Sequence, residues 1–277
     1  MILSDVIKGI ILQFQSLDIE NPGLDAEVIL SHVLKIERFR LITEREKNIS
    51  ETENTIITEL VQRRLRGEPV AYLIGYKEFY SLNFQINRDV LIPRPETELL
   101  VDLVIYYAKK DAKILDIGTG SGAIAIAIKH NRPDVDVTAS DISQAALIVA
   151  SKNAERILNN DSINCIQSDL FQSLLNKRFD IIVTNPPYLD IKERKNLQKE
   201  ISFEPEIALF AHKGGKEVIR RIISGFENYL HINGLLLIEI NPNFKDYIKD
   251  LCERRNLSID IFNDYAIHPR VAAIRVK

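Results

Sequence analysis

Apolar residues recur at helical spacing through the first quarter of the chain. Leu3, Val6, Ile7, Ile10, Ile11 and Phe14 fall on one helix face, Asn21-Pro22-Gly23 breaks the pattern, and Leu24, Val28, Ile29, Val33 and Leu34 resume it. Ser50 followed by Glu53 is a capping-box signature. Ile56, Ile57, Leu60, Val61 and Leu65 carry that helix to Gly67. These amphipathic segments predict a small helical bundle. Acidic residues slightly outnumber basic ones within it, so the Arg63-Arg64-Arg66 cluster is read as a solvated face. After Gly75 the pattern changes to alternation, with Leu82, Phe84 and Ile86 on one side and Asn83, Gln85 and Asn87 on the other, which predicts a half-buried hairpin. The proline-stiffened stretch Leu91-Ile92-Pro93-Arg94-Pro95-Glu96-Thr97-Glu98 then leads into a helix carrying Leu99, Leu100, Leu103 and Val104. Glu96 and Glu98 suit the positive end of that helix. Two prolines around an arginine exceed what a helix start requires, so a site-lining role stays open.

Beyond Ala112 strands and helices alternate. Strands are expected over 113–117, 135–140, 163–168, 179–184, 235–240, 258–262 and 272–276, with helices over 122–130, 144–157, 216–229 and 244–254. Such alternation predicts an α/β domain with a mostly parallel sheet covered on both faces, whose ligands bind beyond the carboxyl ends of the strands. The last two strands lack a helix between them, which predicts an antiparallel hairpin at one sheet edge. The organisation read from these patterns is a helical domain over 1–74, a β-hairpin linker over 75–95 and the α/β domain over 96–277.

With 277 residues, 45% of them hydrophobic and 27% charged, the chain has the material for a substantial core. A formal net charge of −3 argues against bulk positive charge as a means of holding nucleic acid, and no stable nucleic-acid binding is expected. Cys165 and Cys252 lie far apart and read as buried apolar residues of a reducing compartment. The five histidines show no metal-ligand spacing, so no metal is expected. The opening Met-Ile-Leu-Ser-Asp lacks a basic leader, and neither a signal peptide nor a membrane span is read. The cytoplasm is the expected location.

One stretch carries the most specific chemistry. In Phe179-Asp180-Ile181-Ile182-Val183-Thr184-Asn185-Pro186-Pro187-Tyr188 a buried-strand pattern stops at two consecutive prolines, which fix φ and cannot donate to a ladder. The corner suits a planar amino group: the Asn185 side-chain oxygen and the Pro186 carbonyl can each accept one hydrogen of an NH2, and Tyr188 can stack on its π-system. A plain strand terminator would also explain Asn-Pro-Pro, so the decision depends on the preceding loops.

Gly118, Thr119, Gly120, Ser121 and Gly122 sit where the first sheet strand turns into its helix. The glycines allow a tight turn and close ligand approach, and free N–H groups at the helix start are expected to attract an anion. Gly118, Gly120 and Ala123 also satisfy a loose dinucleotide pattern, and Asp141, at the end of the second strand, suits the ribose of either a nicotinamide dinucleotide or S-adenosylmethionine. Asp116, just before the first glycine, favours a sulfonium and an amino group over a pyrophosphate. Asp169 is placed to accept from an adenine amino group and Leu170 to pack on its ring. Asn185 then follows the fourth strand, and the terminator explanation no longer suffices.

Asp116-x-Gly118-x-Gly120-x-Gly122, Asp141, Ser168-Asp169 and Asn185-Pro186-Pro187-Tyr188 resemble the class I S-adenosylmethionine-dependent methyltransferases that act on amino nitrogens. More narrowly, Gly67-Glu68-Pro69-Val70-Ala71-Tyr72-Leu73-Ile74-Gly75, Glu78-Phe79-Tyr80 and Ile92-Pro93-Arg94-Pro95-Glu96-Thr97-Glu98 resemble the HemK/PrmC family of protein-glutamine N5-methyltransferases. Glu204-Pro205-x-x-Ala208-Leu209 and Gly214-Gly215 fit the same family, and the likeness covers about residues 60–240. Asn241, where glycine is expected after Ile238-Glu239-Ile240, and the glycine-free turn 265–271 depart from it.

The resemblance implies a Rossmann-like seven-stranded sheet with an antiparallel edge strand, a helical substrate-recognition domain in front of it, and S-adenosyl-L-methionine as cofactor. It also implies a substrate, the glutamine of the Gly-Gly-Gln motif in peptide chain release factors. Cofactor contacts are expected from Gly118, Thr119, Gly120, Ser121, Gly122, Asp141, Asp169, Leu170 and Asn185. Substrate contacts are expected from Asn185, Pro186, Pro187 and Tyr188, with Asn185, Pro186 and Tyr188 catalytic. An adenine N6 or guanine N2 methyltransferase uses the same kind of corner but needs an extruded base and a basic channel, which the acidic balance disfavours. A non-catalytic adaptor would not need the intact glycine loop, and no hydride-transfer acid or base supports a dehydrogenase.

Overall fold

The computed structural model describes residues 1–17, 19–159 and 162–277. The chain forms two compact units, Met1–Tyr76 with Gln198–Phe203, and Lys77–Leu197 with Glu204–Lys277.

The first unit contains α1 (Leu3–Gln15), α2 (Pro22–Leu34), α3 (Arg40–Thr43), α4 (Glu51–Leu65) and α5 (Val70–Ile74). Its core is built from Leu3, Ile10 and Phe14 of α1, Ala26, Ile29, Leu30 and Leu34 of α2, and Ile57, Leu60 and Val61 of α4. Each large side chain buried there contributes about 1.5–3 kcal/mol relative to exposure. Leu24 and Ile56, read as part of the apolar face, lie outside it at 44% exposure each. The capping box forms: Ser50 Oγ accepts from the Glu53 N–H, and Glu53 Oε2 accepts from the Ser50 N–H.

The expectation of a solvated arginine cluster is wrong for Arg64. Its guanidinium is buried and donates to Asp25 Oδ2 at 2.7 Å and Glu200 Oε1 at 2.8 Å, while Arg63 pairs with the buried Glu68. The two carboxylates explain the burial, because a guanidinium leaves water only when paired. This pairing also attaches Gln198–Phe203, the segment remote in sequence, to the helical unit.

The second unit opens with the hairpin β1 (Tyr76–Phe79) and β2 (Leu82–Gln85), followed by α6 (Glu98–Tyr107). Phe84 and Ile86 are buried, as the alternation requires. The hairpin is fastened to the unit it precedes: the Asn153 amide accepts from the Gln85 N–H and donates to its carbonyl, each at 2.8 Å. Glu98 departs from the helix-end role, since its Oε1 accepts from the Tyr80 N–H at 2.8 Å. The Tyr80 hydroxyl donates to Asp102, and burial together with that carboxylate pushes its pKa up to about 12.

The alternating elements then follow as β3 (Lys113–Ile117), α7 (Ala123–Asn131), β4 (Asp136–Asp141), α8 (Gln144–Leu158), β5 (Asn164–Gln167), β6 (Phe179–Thr184), β7 (Leu189–Asp190), α9 (Glu206–Leu209), β8 (Phe210–Ala211), α10 (His212–Gly215), α11 (Glu217–Gly225), β9 (Leu230–Glu239), α12 (Lys245–Arg254), β10 (Leu257–Asn263) and β11 (Pro269–Val276). The main sheet has seven strands in the order β10-β11-β9-β6-β3-β4-β5. β3, β4, β5, β6 and β9 pair in parallel, while the terminal hairpin forms at one edge with β11 running against both β9 and β10.

Register brings the functional positions together. Ile117 stands opposite both Ser140 and Thr184, and Asp141 opposite Gln167, so the chain leaves β3, β4, β5 and β6 at one level. β3 continues to β4 on one side while β6 lies on its other side. A crevice therefore opens at this reversal of strand order. Both cysteines are free; Cys252 is buried, whereas Cys165 on β5 is half-buried, the edge strand leaving it less covered than expected.

Candidate active site

A cavity of about 330 Å³ occupies that crevice. Its walls include Gly118, Gly120, Asp141, Asp169, Leu170, Asn185 and Pro187, and residues as far apart in sequence as Asp89 and Arg221 meet in one space.

The glycine loop works differently from the sequence expectation. The N–H groups of Gly118 and Thr119 both donate to the Ser140 carbonyl, at 2.8 and 3.0 Å, and the Gly120 N–H donates to Asp141 Oδ2 at 2.9 Å. These donors are spent within the protein and are not free to attract an anion, because the register between β3 and β4 delivers acceptors directly to them. What the loop offers is space. Gly118 and Gly120 have φ of +72° and +56°, and a Cβ on either would meet nothing within 4 Å. A loop with consumed donors suits a neutral nucleoside more than a pyrophosphate.

Asp141 closes this side. Its Oδ1 accepts from the Ser143 N–H at 2.9 Å, and burial raises its pKa. Each carboxylate oxygen keeps a lone pair for a ligand hydroxyl. Asp169, which follows the neighbouring strand β5, also lines the cavity, and both its oxygens accept from Arg221 Nη2 at 3.0 and 2.9 Å. Arg221, on α11, was missed in the sequence; it is a wall residue with no motif around it. Leu170 adopts φ of +52°, and the Ser168 hydroxyl donates to its carbonyl, which presents the side chain to the cavity.

Asp116 is fully buried behind the loop. Its Oδ2 accepts from the Thr119 hydroxyl at 2.6 Å, its Oδ1 has no partner, and burial pushes its pKa up to about 7. Thr119 is thus a brace for Asp116. Ser121 gives its carbonyl to the Asn153 amide, and Gly122 caps α7. None of these four stands among the cavity's wall residues.

On the other side of β3 from β4, β6 delivers the proline corner. Asn185 faces the cavity and its Nδ2 donates to Thr97 Oγ1 at 3.1 Å. The Thr97 hydroxyl donates to Glu239 Oε2 at 2.8 Å. Pro186 is buried, and Tyr188 is half-buried with its ring packed against the main core cluster; neither is a wall residue. Burial pushes the Tyr188 hydroxyl up to about 12. The corner is seated on Gly215, where an added Cβ would lie 2.0 Å from the Tyr188 carbonyl oxygen. Beyond the corner, Glu204 is buried and clasps the proline-rich stretch: its Oε2 accepts from the Ile92 N–H at 3.0 Å and its Oε1 pairs with Arg94. Pro205, Ile207, Ala208, Phe210 and Ala211 then form another wall. Among the described residues, no cluster of three or more His, Cys, Asp or Glu is arranged to hold a metal, and no helix is long and apolar enough to cross a membrane.

A seven-stranded sheet with a reversal in strand order, an open glycine turn and a carboxylate beside it, with an amide at the end of the adjacent strand, define the class I methyltransferase fold. A methyltransferase from Pyrococcus furiosus shares it, with a TM-score of 0.55 and 18% identity over 77% of this chain and 96% of that one. Family models of the PrmC N-terminal domain and of the methyltransferase small domain match residues 5–75 and 95–206. A release factor glutamine methyltransferase of Rhodopirellula baltica is 40% identical, over 92% of this chain and 90% of its own length. A second, from Buchnera aphidicola subsp. Baizongia pistaciae, is 39% identical over 91% of each chain. The chain belongs to the release factor glutamine methyltransferase family.

Proposed function

We infer that the protein transfers a methyl group from S-adenosylmethionine to the side-chain amide nitrogen of a glutamine in peptide chain release factors, with the Gly-Gly-Gln motif as the target. The observation that carries the reading is the Asn185 amide lining the β3/β6 crevice on the strand next to the open glycine loop, in a chain of this family.

The residues present fit the cofactor. Asp141 has lone pairs left for ribose hydroxyls, Gly118 and Gly120 leave room against the backbone, and Leu170 offers an apolar face. The Asp116 Oδ1 behind the loop has no hydrogen-bond partner and remains an acceptor there. S-adenosylmethionine supplies a methyl carbon made electrophilic by its sulfonium. Everything else falls to the chain's own groups. The Asn185 Oδ1 and the Pro186 carbonyl accept the two hydrogens of the carboxamide, which fixes the plane and leaves the nitrogen facing the cavity. An amide nitrogen is a poor nucleophile, and orientation of this kind supplies on the order of several kcal/mol of its barrier. Tyr188 anchors the corner through its ring and carbonyl, and Pro187 supplies an apolar wall. The proton lost by the product nitrogen goes to solvent. The helical unit, which matches the PrmC N-terminal domain, is assigned recognition of the protein substrate, and a cytoplasmic location goes with that substrate.

The test offers labelled S-adenosylmethionine with a release factor, ribosomal RNA and DNA in parallel. A single added methyl on the Gly-Gly-Gln glutamine, located by mass spectrometry, is the expected result; label on nucleic acid alone overturns the reading.

A further inference from the structure

Asn185 orients the substrate only if its own amide is oriented. An amide presents its oxygen or its nitrogen to a partner depending on a half-turn about χ2, and only the oxygen accepts from an NH2. In this protein the half-turn is controlled by two residues that the mechanism above leaves unused. Thr97, in the proline-rich stretch 91–98, is 5% exposed, and Glu239, the last residue of β9, is 1% exposed. They are 142 positions apart in sequence, yet the Thr97 hydroxyl bridges Glu239 Oε2 and Asn185 Nδ2.

We propose that Thr97 and Glu239 are positioning residues, a two-step relay whose buried carboxylate sets the direction of the Thr97 hydroxyl and thereby turns the Asn185 oxygen toward the cavity. The proposal rests on the use of Asn185 given under "Proposed function". The direction follows from donor and acceptor arithmetic. An ionised carboxylate only accepts, so the single Thr97 proton goes to Glu239. The Thr97 lone pairs then accept from the Asn185 NH2, and its oxygen is left for the substrate. When Glu239 carries a proton it can donate to Thr97, whose proton can turn to the Asn185 oxygen. The amide then presents its NH2 to the substrate NH2, and two donors face each other.

The ionisation that selects between these states responds to pH in the neutral range. Burial pushes Glu239 up to about 7, with Glu96 adding to the rise and the Thr97 hydrogen bond, Arg270 and Arg94 opposing it. Tyr188 also faces this carboxylate. The relay also gives Glu239 a reason to be buried, since a carboxylate without such a task is costly in a sheet core.

Two readouts test the relay. The first is turnover with a release factor and S-adenosylmethionine. Thr97→Val is expected to lower kcat by about tenfold to a hundredfold, the worth of a hydrogen bond to a charged chain, with cofactor affinity unchanged. Thr97→Ser restores the rate. In the wild type, kcat falls below a pH of about 7, and Glu239→Gln loses that limb. The second readout does not need turnover. The Asn185 side-chain NH2 resonance, assigned by its disappearance in Asn185→Ala, is expected to shift across the same pH range in the wild type, to stay fixed in Glu239→Gln, and to move to a solvent-exposed amide position in Thr97→Val. A resonance that ignores both substitutions, or a Thr97→Val enzyme within about twofold of the wild-type kcat, overturns the relay. Equal losses in Thr97→Val and Thr97→Ser also overturn it, because they would mark a packing role. If the resonance follows Glu239 while Asn185→Ala turns over normally, the relay stands and the role of Asn185 in the reaction falls instead.

Discussion

The glycine turn after β3 and the amide corner after the neighbouring β6 are two sides of the crevice built by different means. At the glycine turn, the Gly118, Thr119 and Gly120 N–H groups are satisfied by Ser140 and Asp141 of the neighbouring strand, so one in-register strand pair determines the geometry. At the amide corner, Asn185 depends on Thr97, Glu239 and Gly215, which come from three other parts of the chain. Under the proposed function, the contrast makes holding the methyl donor and orienting the acceptor separable tasks. The glycine turn is a local backbone device, whereas Asn185 is held by side chains from distant parts of the chain.

Substitutions on the two sides should therefore fail in different ways. The largest effect is expected for Asn185→Ala, with kcat reduced on the order of a hundredfold or more and calorimetric affinity for S-adenosylmethionine only modestly lower; a parallel collapse of both would erase the distinction. Gly215→Ala comes next. A Cβ at 2.0 Å from the Tyr188 carbonyl must push the corner aside, and a displacement near 1 Å costs about a hundredfold in rate at most. Its melting temperature should fall as well, by the equivalent of about 1–3 kcal/mol of overpacking. At the glycine turn, Asp141→Ala is expected to weaken cofactor binding by about tenfold or more while kcat at saturation changes less, which titration calorimetry beside turnover separates. Unchanged affinity would show that the carboxylate only braces the loop.

A last effect concerns stability and leaves the comparison of rates untouched. Asp116 ordinarily loses its proton near 3.8 but is held up to about 7 by burial, so between those values the folded chain keeps a proton that the unfolded chain has released. Stability contributed by the protonated group is then lost as pH rises through this window and levels off above it. Asp116→Asn should flatten the fall in melting temperature between about pH 4 and pH 7, and a slope equal to that of the wild type would contradict the shift.

The same contrast explains what could be read in advance. The β3 to β6 strands, the glycine turn, Asp141 and Asn185 were legible because each sits at the end of a short apolar run, and parallel pairing places such ends side by side. Arg221 was not legible, since an arginine on an amphipathic helix carries no sign of facing a ligand until the helix is docked. Thr97 and Glu239 were visible as members of motifs but without a task, because a hydrogen bond spanning 142 positions leaves no periodic trace. Arg64 was misread for a related reason: its partners Asp25 and Glu200 lie far away on either side, and an arginine cluster looks solvated until its carboxylates are known. The glycine loop's N–H groups looked available because nothing in a single strand announces the neighbour that consumes them.

Gln198–Phe203 belongs with the helical unit although the residues on both sides of it belong with the other. A single scission after Tyr76 would consequently not yield two independent products. The larger fragment would still hold Glu200, one of the two counter-ions of a buried guanidinium left behind on the smaller. Excising the helices as a separate module would strand that cation, and a workable excision would have to carry the six-residue strap along or neutralise Arg64 in the same step.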